Sequence, residues 1–227
     1  MARIEKSSLT FLEELGANNN RDWFQANKPR YEAARDNIAA FAQALMNRLE
    51  KTDVLETESG RKSMFRIYRD VRFSKNKDPY KTAHSGRFAR EGKLRRGAYY
   101  FHFSPTDMVV GGGFYGIEKD DLKRIREEVA VDDKPFRSIL SDDTFQKIFG
   151  EMKGEKLKTA PKGYPKDHPA IDLLRYKHFY AMRNFSEKQV LSKNFLDDAH
   201  ETMLAIRPFF DYFTEVLTTD ANGELIV

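Results

Sequence analysis

No cysteine occurs among the 227 residues, which excludes disulfides, thiolate metal sites and a cysteine nucleophile. Apolar runs are short. None approaches the roughly 18 residues that span a bilayer, so no membrane partner is expected. The opening MARIEKSSLT holds no apolar signal-peptide core, and the expected location is cytoplasmic. His84, His102, His168, His178 and His200 are scattered without metal-motif spacing. Neither a metal site nor a cofactor is therefore expected. The string GGGFYG at 111–116 lacks both the Lys-Ser/Thr ending of a phosphate loop and the dinucleotide-binding spacing, and no Gly-x-Ser-x-Gly elbow is present.

Aromatic residues are abundant, with 18 Phe, 10 Tyr and one Trp, so the core should be built largely from rings. The net charge of +4 is mild, but its distribution is uneven. Residues 61–96 carry 13 Lys and Arg against three Asp and Glu, a net of +10, while the remainder carries 26 against 32, a net of −6. Such asymmetry speaks to partners rather than to fold.

Periodicity divides the chain into helical ends and a sheet-rich middle. Thr10 can cap a short helix ending at Gly16, and Asn18, Asn19 and Asn20 offer a turn and a cap for a second one carrying Trp23 and Phe24. Pro29 suits the first turn of a third helix, where Tyr31, Ala34, Ile38, Phe41, Leu45 and Leu49 make one apolar stripe. From Met64 to Phe73 the period becomes two, which predicts a sheet strand with Phe65, Ile67 and Val71 facing the core. A loop at 74–86 follows. Ala98–Ser104 and Met108–Phe114 read as a hairpin turned by Pro105, Thr106 and Asp107, with Gly111, Gly112 and Gly113 marking a bulge or a close backbone approach. Helices are predicted after Asp120 or Asp121, over Pro135–Leu140 and over Asp142–Phe149 with Ser141 as cap. A strand is predicted over Arg175–Phe185, and Ser186 and Gln189 have capping-box spacing. A long helix from Lys193 to Leu217 should be kinked at Pro208. The expected fold is α+β, a central, mainly antiparallel sheet with helices from both chain ends packed on it. One domain is expected over 1–227: helical at 8–50, sheet-rich at 64–114, and helices with a further strand at 118–217.

The string RIYRDVRFSKNKDPYKT, Arg66 to Thr82, is the most informative. On a strand, Arg66, Tyr68, Asp70 and Arg72 would share one face at roughly 6.6 Å steps. A guanidinium there can grip a phosphate or carboxylate with two parallel hydrogen bonds. Arg69 interrupts the apolar face, and the loop beyond adds Lys75, Lys77 and Lys81, with Tyr80 as a stacking ring or hydroxyl donor. The simpler alternative is that Asp70 pairs with a neighbouring Arg and the lysines face water. Asp70 and His102 are the candidate proton-handling residues, His102 lying on a strand face with Tyr100 and Ser104.

These strings carry a resemblance. Together, NNNRDWFQANKPRYEAAR, RIYRDVRFSKNKDPYKT, GGGFYGIEKDDLKRIRE and LKTAPKGYPKDHPAIDLLRYKHF resemble the family catalogued as domain of unknown function 2461, known in bacteria and fungi, over nearly the whole length. Where that family often has Pro after the glycines, this chain has Gly116-Ile117-Glu118. The resemblance implies a single domain and carries across neither an activity nor a catalytic residue. Three functions remain open: a phosphate- or carboxylate-binding small-molecule site on the basic segment, enzymatic or not; nucleic-acid binding through the same basic aromatic segment; and a non-catalytic module whose basic patch docks an acidic protein. The sequence leaves the oligomeric state open.

Overall fold

The structure is a computed structural model that describes residues 2–220 and 222–226; Met1, Ala221 and Val227 lie outside the described residues. It begins with three helices. Helix α1, Lys6–Ala17, starts before Thr10 because its apolar face does: Leu9, Phe11, Leu12 and Leu15 are all buried. Gly16 lies inside it rather than ending it. Helix α2, Arg21–Ala26, is capped by the Asn20 side chain, which accepts the Trp23 N–H at 2.9 Å. Helix α3, Lys28–Leu49, has Pro29 in its first turn and buries Ala34, Ile38, Phe41, Leu45 and Leu49, the predicted stripe apart from the half-buried Tyr31. A single helical turn, α4, follows at Gly60–Ser63.

The fold is α+β. Its antiparallel sheet has four strands in the order β1-β2-β3-β4: β1 His84–Ala89, β2 Ala98–Phe103, β3 Met108–Phe114 and β4 Phe179–Asn184. The hairpin β2–β3 and the strand near the C-terminal end stand where periodicity put them. The strand expected over Met64–Phe73 does not belong to the sheet, and β1 arises from the end of the segment expected to be a loop. Backbone pairing explains this. The Phe65 N–H donates to the Ser85 carbonyl at 2.9 Å, but two residues on, the Ile67 carbonyl accepts from Lys81 at 2.7 Å, not from Ala83. The register slips by two residues, so only isolated bridges form, Met64 with Gly86 and Tyr68 with Tyr80. The chain is extended enough to keep a two-residue alternation, yet only Ile67 is buried. Phe65 is 44% exposed and Phe73 97%. Residues 64–86 thus form an irregular two-legged ribbon.

Helix α5, Lys119–Val131, buries Ile125 and Val129. Helix α6, Lys134–Ser141, uses Ser141 as its last residue, so the cap of α7, Asp143–Phe149, falls to Asp142, whose carboxylate accepts from Thr144 and Phe145. After the one-turn α8, Ile171–Leu174, the predicted capping box of Ser186 and Gln189 opens the one-turn α9, Glu187–Val190. The long terminal helix is broken rather than kinked: α10 covers Phe195–Ala205 and α11 Arg207–Thr218, with Pro208 in the first turn of α11. Proline is compatible with a first turn and lacks the N–H a helix interior needs.

Two units divide the contacts. The first takes in the chain up to Phe88, Tyr100–Val110 and Asn184–Glu201. In it, Phe41 stacks on Phe195 at 5.2 Å and meets the edge of Phe103, while Phe11, Leu12, Leu15, Phe24, Ile67 and Tyr80 form a separate cluster. The second takes in Ala89–Tyr99, Gly111–Arg183 and the chain from Thr202. Its centre is Phe136, Phe179, Phe209 and Phe213, with ring centroids 4.9–6.2 Å apart. The glycines of β3 serve a close approach there. A Cβ on Gly111 would stand 2.0 Å from the Ala181 carbonyl oxygen.

Gly111→Ala should therefore destabilise the protein by on the order of 3 kcal/mol or more, because backbone must move. Gly116→Ala meets nothing within 4 Å and bears only its positive φ of 68°, a cost of about 1–2 kcal/mol. Urea midpoints for the two variants check the ranking, and equal losses would refute it.

Candidate functional site

The ribbon's tip, residues 70–78, ties itself together. The Asp70 carboxylate accepts two parallel bonds from Arg72, 3.0 Å to Nε and 2.7 Å to Nη2, and a third from the Arg72 backbone N–H. That bonding holds the Asp70 carboxyl below its ordinary value, with the nearby Arg66 charge adding to it. Asp70 is thus a committed anion at neutral pH, not a ready proton acceptor. Arg69 donates to the Asp78 carbonyl at 3.0 Å and Lys77 to the Val71 carbonyl at 3.0 Å. Asn76 accepts the Asp78 N–H. Arg66 and Lys75 are exposed. Phe73 stands almost wholly in solvent beside Arg72, whose guanidinium lies 5.9 Å from the ring centroid.

The ribbon's base is different. Tyr80 is buried, its ring stacked on Phe24 at 4.0 Å and 16°. Asn19 brackets its backbone, accepting the Tyr80 N–H at 3.1 Å and donating to its carbonyl at 3.0 Å. This ring is therefore a foundation and has no free face for a ligand. Tyr68, 53% exposed, packs 5.5 Å from Tyr80 on one side and meets solvent on the other. Lys81 lies 5.8 Å over the ring of Phe65, which sits 6.3 Å from Tyr100. The predicted binding residues are thus engaged at different points along the ribbon: Arg72 on Asp70, Arg69 and Lys77 on loop carbonyls, Lys81 on Phe65.

His102 is joined by a residue that sequence reasoning missed. The Ser85 hydroxyl lies 2.7 Å from His102 Nδ1, and the Tyr100 hydroxyl 3.4 Å from the same nitrogen. Burial lowers the His102 pKa, opposed by Asp107, and burial raises that of Tyr100. Ser85 was not legible because β1, HSGRFA, reads as loop. Phe65 was expected to face the core, but it is 44% exposed and lies at the surface of the ribbon. Among the described residues, no group of three or more His, Asp or Glu could hold a metal ion, and no helix is long and apolar enough to cross a membrane.

His84, next to Ser85, is buried, and its Nε2 has no hydrogen-bond partner among the described residues. Its ring stacks on Tyr31 at 6.3 Å, and burial, with Arg35 nearby, lowers its pKa from 6.5 to about 4. The folded state therefore keeps this imidazole neutral where the unfolded chain would take up a proton. The resulting contribution to stability is fully present above pH 6.5 and is lost as pH falls toward 4, by about 3 kcal/mol. Urea denaturation at pH 7.5 and 4.5 should show that loss in the wild type and a smaller one in His84→Phe; parallel losses would refute the assignment.

No curated protein and no solved structure matches the chain. One family model does, over residues 7–212, from α1 into α11 and including the whole ribbon; it is described as a conserved hypothetical protein family, DUF2461. With all but the two ends of the sequence covered, the chain belongs to the DUF2461 family.

Proposed function

We propose that the ribbon binds an extended phosphate-bearing polymer, single-stranded nucleic acid, with its cations on the phosphates and its exposed rings on the bases. The observation that carries this reading is Phe73. A phenyl ring 97% exposed at the tip of a loop with Arg72, Lys75 and Lys77 stands in solvent with the Arg72 guanidinium beside it. Base stacking on an aromatic ring suits such a residue, because every base offers a π-face and the flanking cations neutralise the backbone. Tyr68 and Phe65, both about half exposed, offer further rings along the ribbon. The hydrogen bonds within the tip hold Phe73 and Arg72 in place before any ligand arrives, which reduces the ordering cost of binding.

A small phosphorylated molecule would need several cations directed at one point. Here Arg69 and Lys77 already donate to carbonyls of their own loop, and Arg72 is paired with Asp70. That distribution supports a surface over a pocket. The whole-chain charge of +4 supports weak, salt-sensitive binding.

A fluorescent oligothymidylate titrated at two salt concentrations tests the reading. Binding should weaken steeply with salt, at a log–log slope of about −0.7 per phosphate contact. Phe73→Ala should cost about 1–3 kcal/mol, roughly 5- to 150-fold. Lys75→Ala should weaken binding modestly and flatten the slope by about one contact. Nucleotide binding without oligonucleotide binding, or a Phe73→Ala variant that binds as well as the wild type, would sink the proposal.

A further inference from the structure

The pair Ser85 and His102 lies at the base of the ribbon, beside Phe65 and Lys81, which also belong to the surface proposed above. We propose that Ser85 is a nucleophile and His102 its general base, in acyl transfer from carboxylic esters to water.

The strands put the two groups together. In β2 every second residue is buried, Tyr99, Phe101 and Phe103, which leaves Tyr100 and His102 on the opposite, half-exposed face. In the adjacent β1, Phe88 is buried, and Ser85, three residues earlier, has the opposite parity, on the side of Tyr100 and His102, though it is itself buried at 8% exposure. Ser85 Oγ and His102 Nδ1 meet across the strand pair at 2.7 Å, within the reach a nucleophile and its base require.

Hydrogen-bond arithmetic gives the pair its direction. A neutral imidazole has one donor nitrogen and one acceptor nitrogen. Two hydroxyls, Ser85 and Tyr100, lie about His102 Nδ1, the first close and the second at 3.4 Å. Nδ1 has one in-plane lone pair, so with Ser85 donating to it the Tyr100 O–H turns to another acceptor; the Ser85 oxygen is within its hydrogen-bonding reach until a substrate oxygen competes for it. Burial favours neutral His102 and protonated Tyr100, the latter opposed by the hydrogen bond with Ser85, and this is the state such a site needs near neutral pH. Asp107, the other charge bearing on His102, opposes the shift. Beside Tyr100, the partly exposed Phe65 ring with Lys81 over it forms a shelf for an apolar acyl group with an anionic end.

The reaction balances without an oxidant or cofactor. Ser85 Oγ bonds to the ester carbonyl carbon while its proton passes to His102 Nδ1, and the Tyr100 O–H is at hand to donate to the developing oxyanion. The carbon–alkoxy bond then breaks, and the alkoxide leaves as alcohol with the proton from His102. Water next gives a proton to His102 and bonds to the acyl carbon. The acyl–Ser85 bond breaks, Ser85 is reprotonated by His102, and the carboxylic acid departs.

The absence of cysteine makes a specific test possible. In the Ser85→Cys protein every thiol signal comes from position 85. If His102 acts as a base there, iodoacetamide should alkylate that thiol with an apparent pKa at least one unit below the ordinary value of about 8.5. Adding His102→Gln should return the profile to the ordinary value. In parallel, a fluorophosphonate probe on the wild-type protein should modify Ser85, identified by peptide mass spectrometry. The reaction forms an Oγ–phosphorus bond, expels fluoride and passes the proton to His102. Labelling should vanish in Ser85→Ala and slow at least tenfold in His102→Gln, each variant first shown to be folded by circular dichroism. An unshifted thiol pKa, a shift that survives His102→Gln, or fluorophosphonate labelling that is absent or lies elsewhere would each overturn the proposal. Because none of these measurements involves Phe73 or an oligonucleotide, their outcome is separate from that of the ribbon's binding test.

Discussion

The ribbon stands on one contact, the flat stack of Tyr80 on Phe24. Phe24 comes from a helix of only six residues, too short to be stable alone. It is fixed by its Asn20 cap and by the rings of Tyr31 and Tyr80. Tyr80 in turn is held by two backbone hydrogen bonds with the Asn19 side chain, one donated and one accepted. The asparagine run at 18–20 therefore does two jobs: Asn20 starts a helix, and Asn19 clamps a residue 61 positions later in the chain. Everything beyond this point in the ribbon relies on that anchor and on Ile67, the other buried side chain of the ribbon in the same cluster. Truncating Tyr80 would remove the floor under Tyr68 as well as its own packing.

From this base to the tip, the balance of forces changes. At the base, burial dominates, and the polar groups are backbone atoms satisfied by an asparagine. At the tip, almost nothing is buried, and shape is held by side chains donating to nearby carbonyls and carboxylates. Those bonds are exposed and individually weak, so they organise the loop without contributing much to global stability. Binding surfaces are commonly of this kind: variable, polar segments positioned by a rigid support.

Much of the framework was legible because it repeats. The α3 stripe, the β2–β3 hairpin, the Asn20 cap and the Ser186–Gln189 capping box each follow from a period or from a pair of residues at fixed spacing. What escaped was set by distant partners. The alternation at 64–73 promised a sheet strand, but alternation reports an extended backbone and says nothing about a neighbour's register. The slip between Phe65–Ser85 and Ile67–Lys81 decides the matter, and no local pattern encodes it. Likewise β1 contains serine, glycine and arginine and reads as loop; it is a strand because β2 lies beside it. Tyr80 and Phe73, both aromatic and both in a basic segment, look equivalent in sequence. One is 3% exposed and the other 97%, and only the position of Phe24 separates them. The charge asymmetry was plain from the sequence and the pairing of Asp70 with a neighbouring Arg was one of its alternatives, whereas the engagement of Arg69 and Lys77 on loop carbonyls was not legible.

The broken pairing of the ribbon also bears on how this protein avoids joining its neighbours edge to edge. A sheet ordered β1-β2-β3-β4 has two outer strands, each with a row of backbone donors and acceptors that another chain could extend into a fibre. On β1 the outer row is interrupted by the single bridge from Met64 to Gly86, after which the ribbon's register slip takes its chain out of ladder alignment. On β4, Lys153 forms one bridge to Tyr180, and Gly154, two residues before Lys156 in the same basic stretch, approaches the His178 carbonyl so closely that a Cβ would lie 1.9 Å away. Each edge is thus occupied at one point by an irregular, lysine- or arginine-bearing segment that offers no continuous strand of its own. At those points incoming β-structure would meet a strand edge already bonded to a segment of irregular backbone.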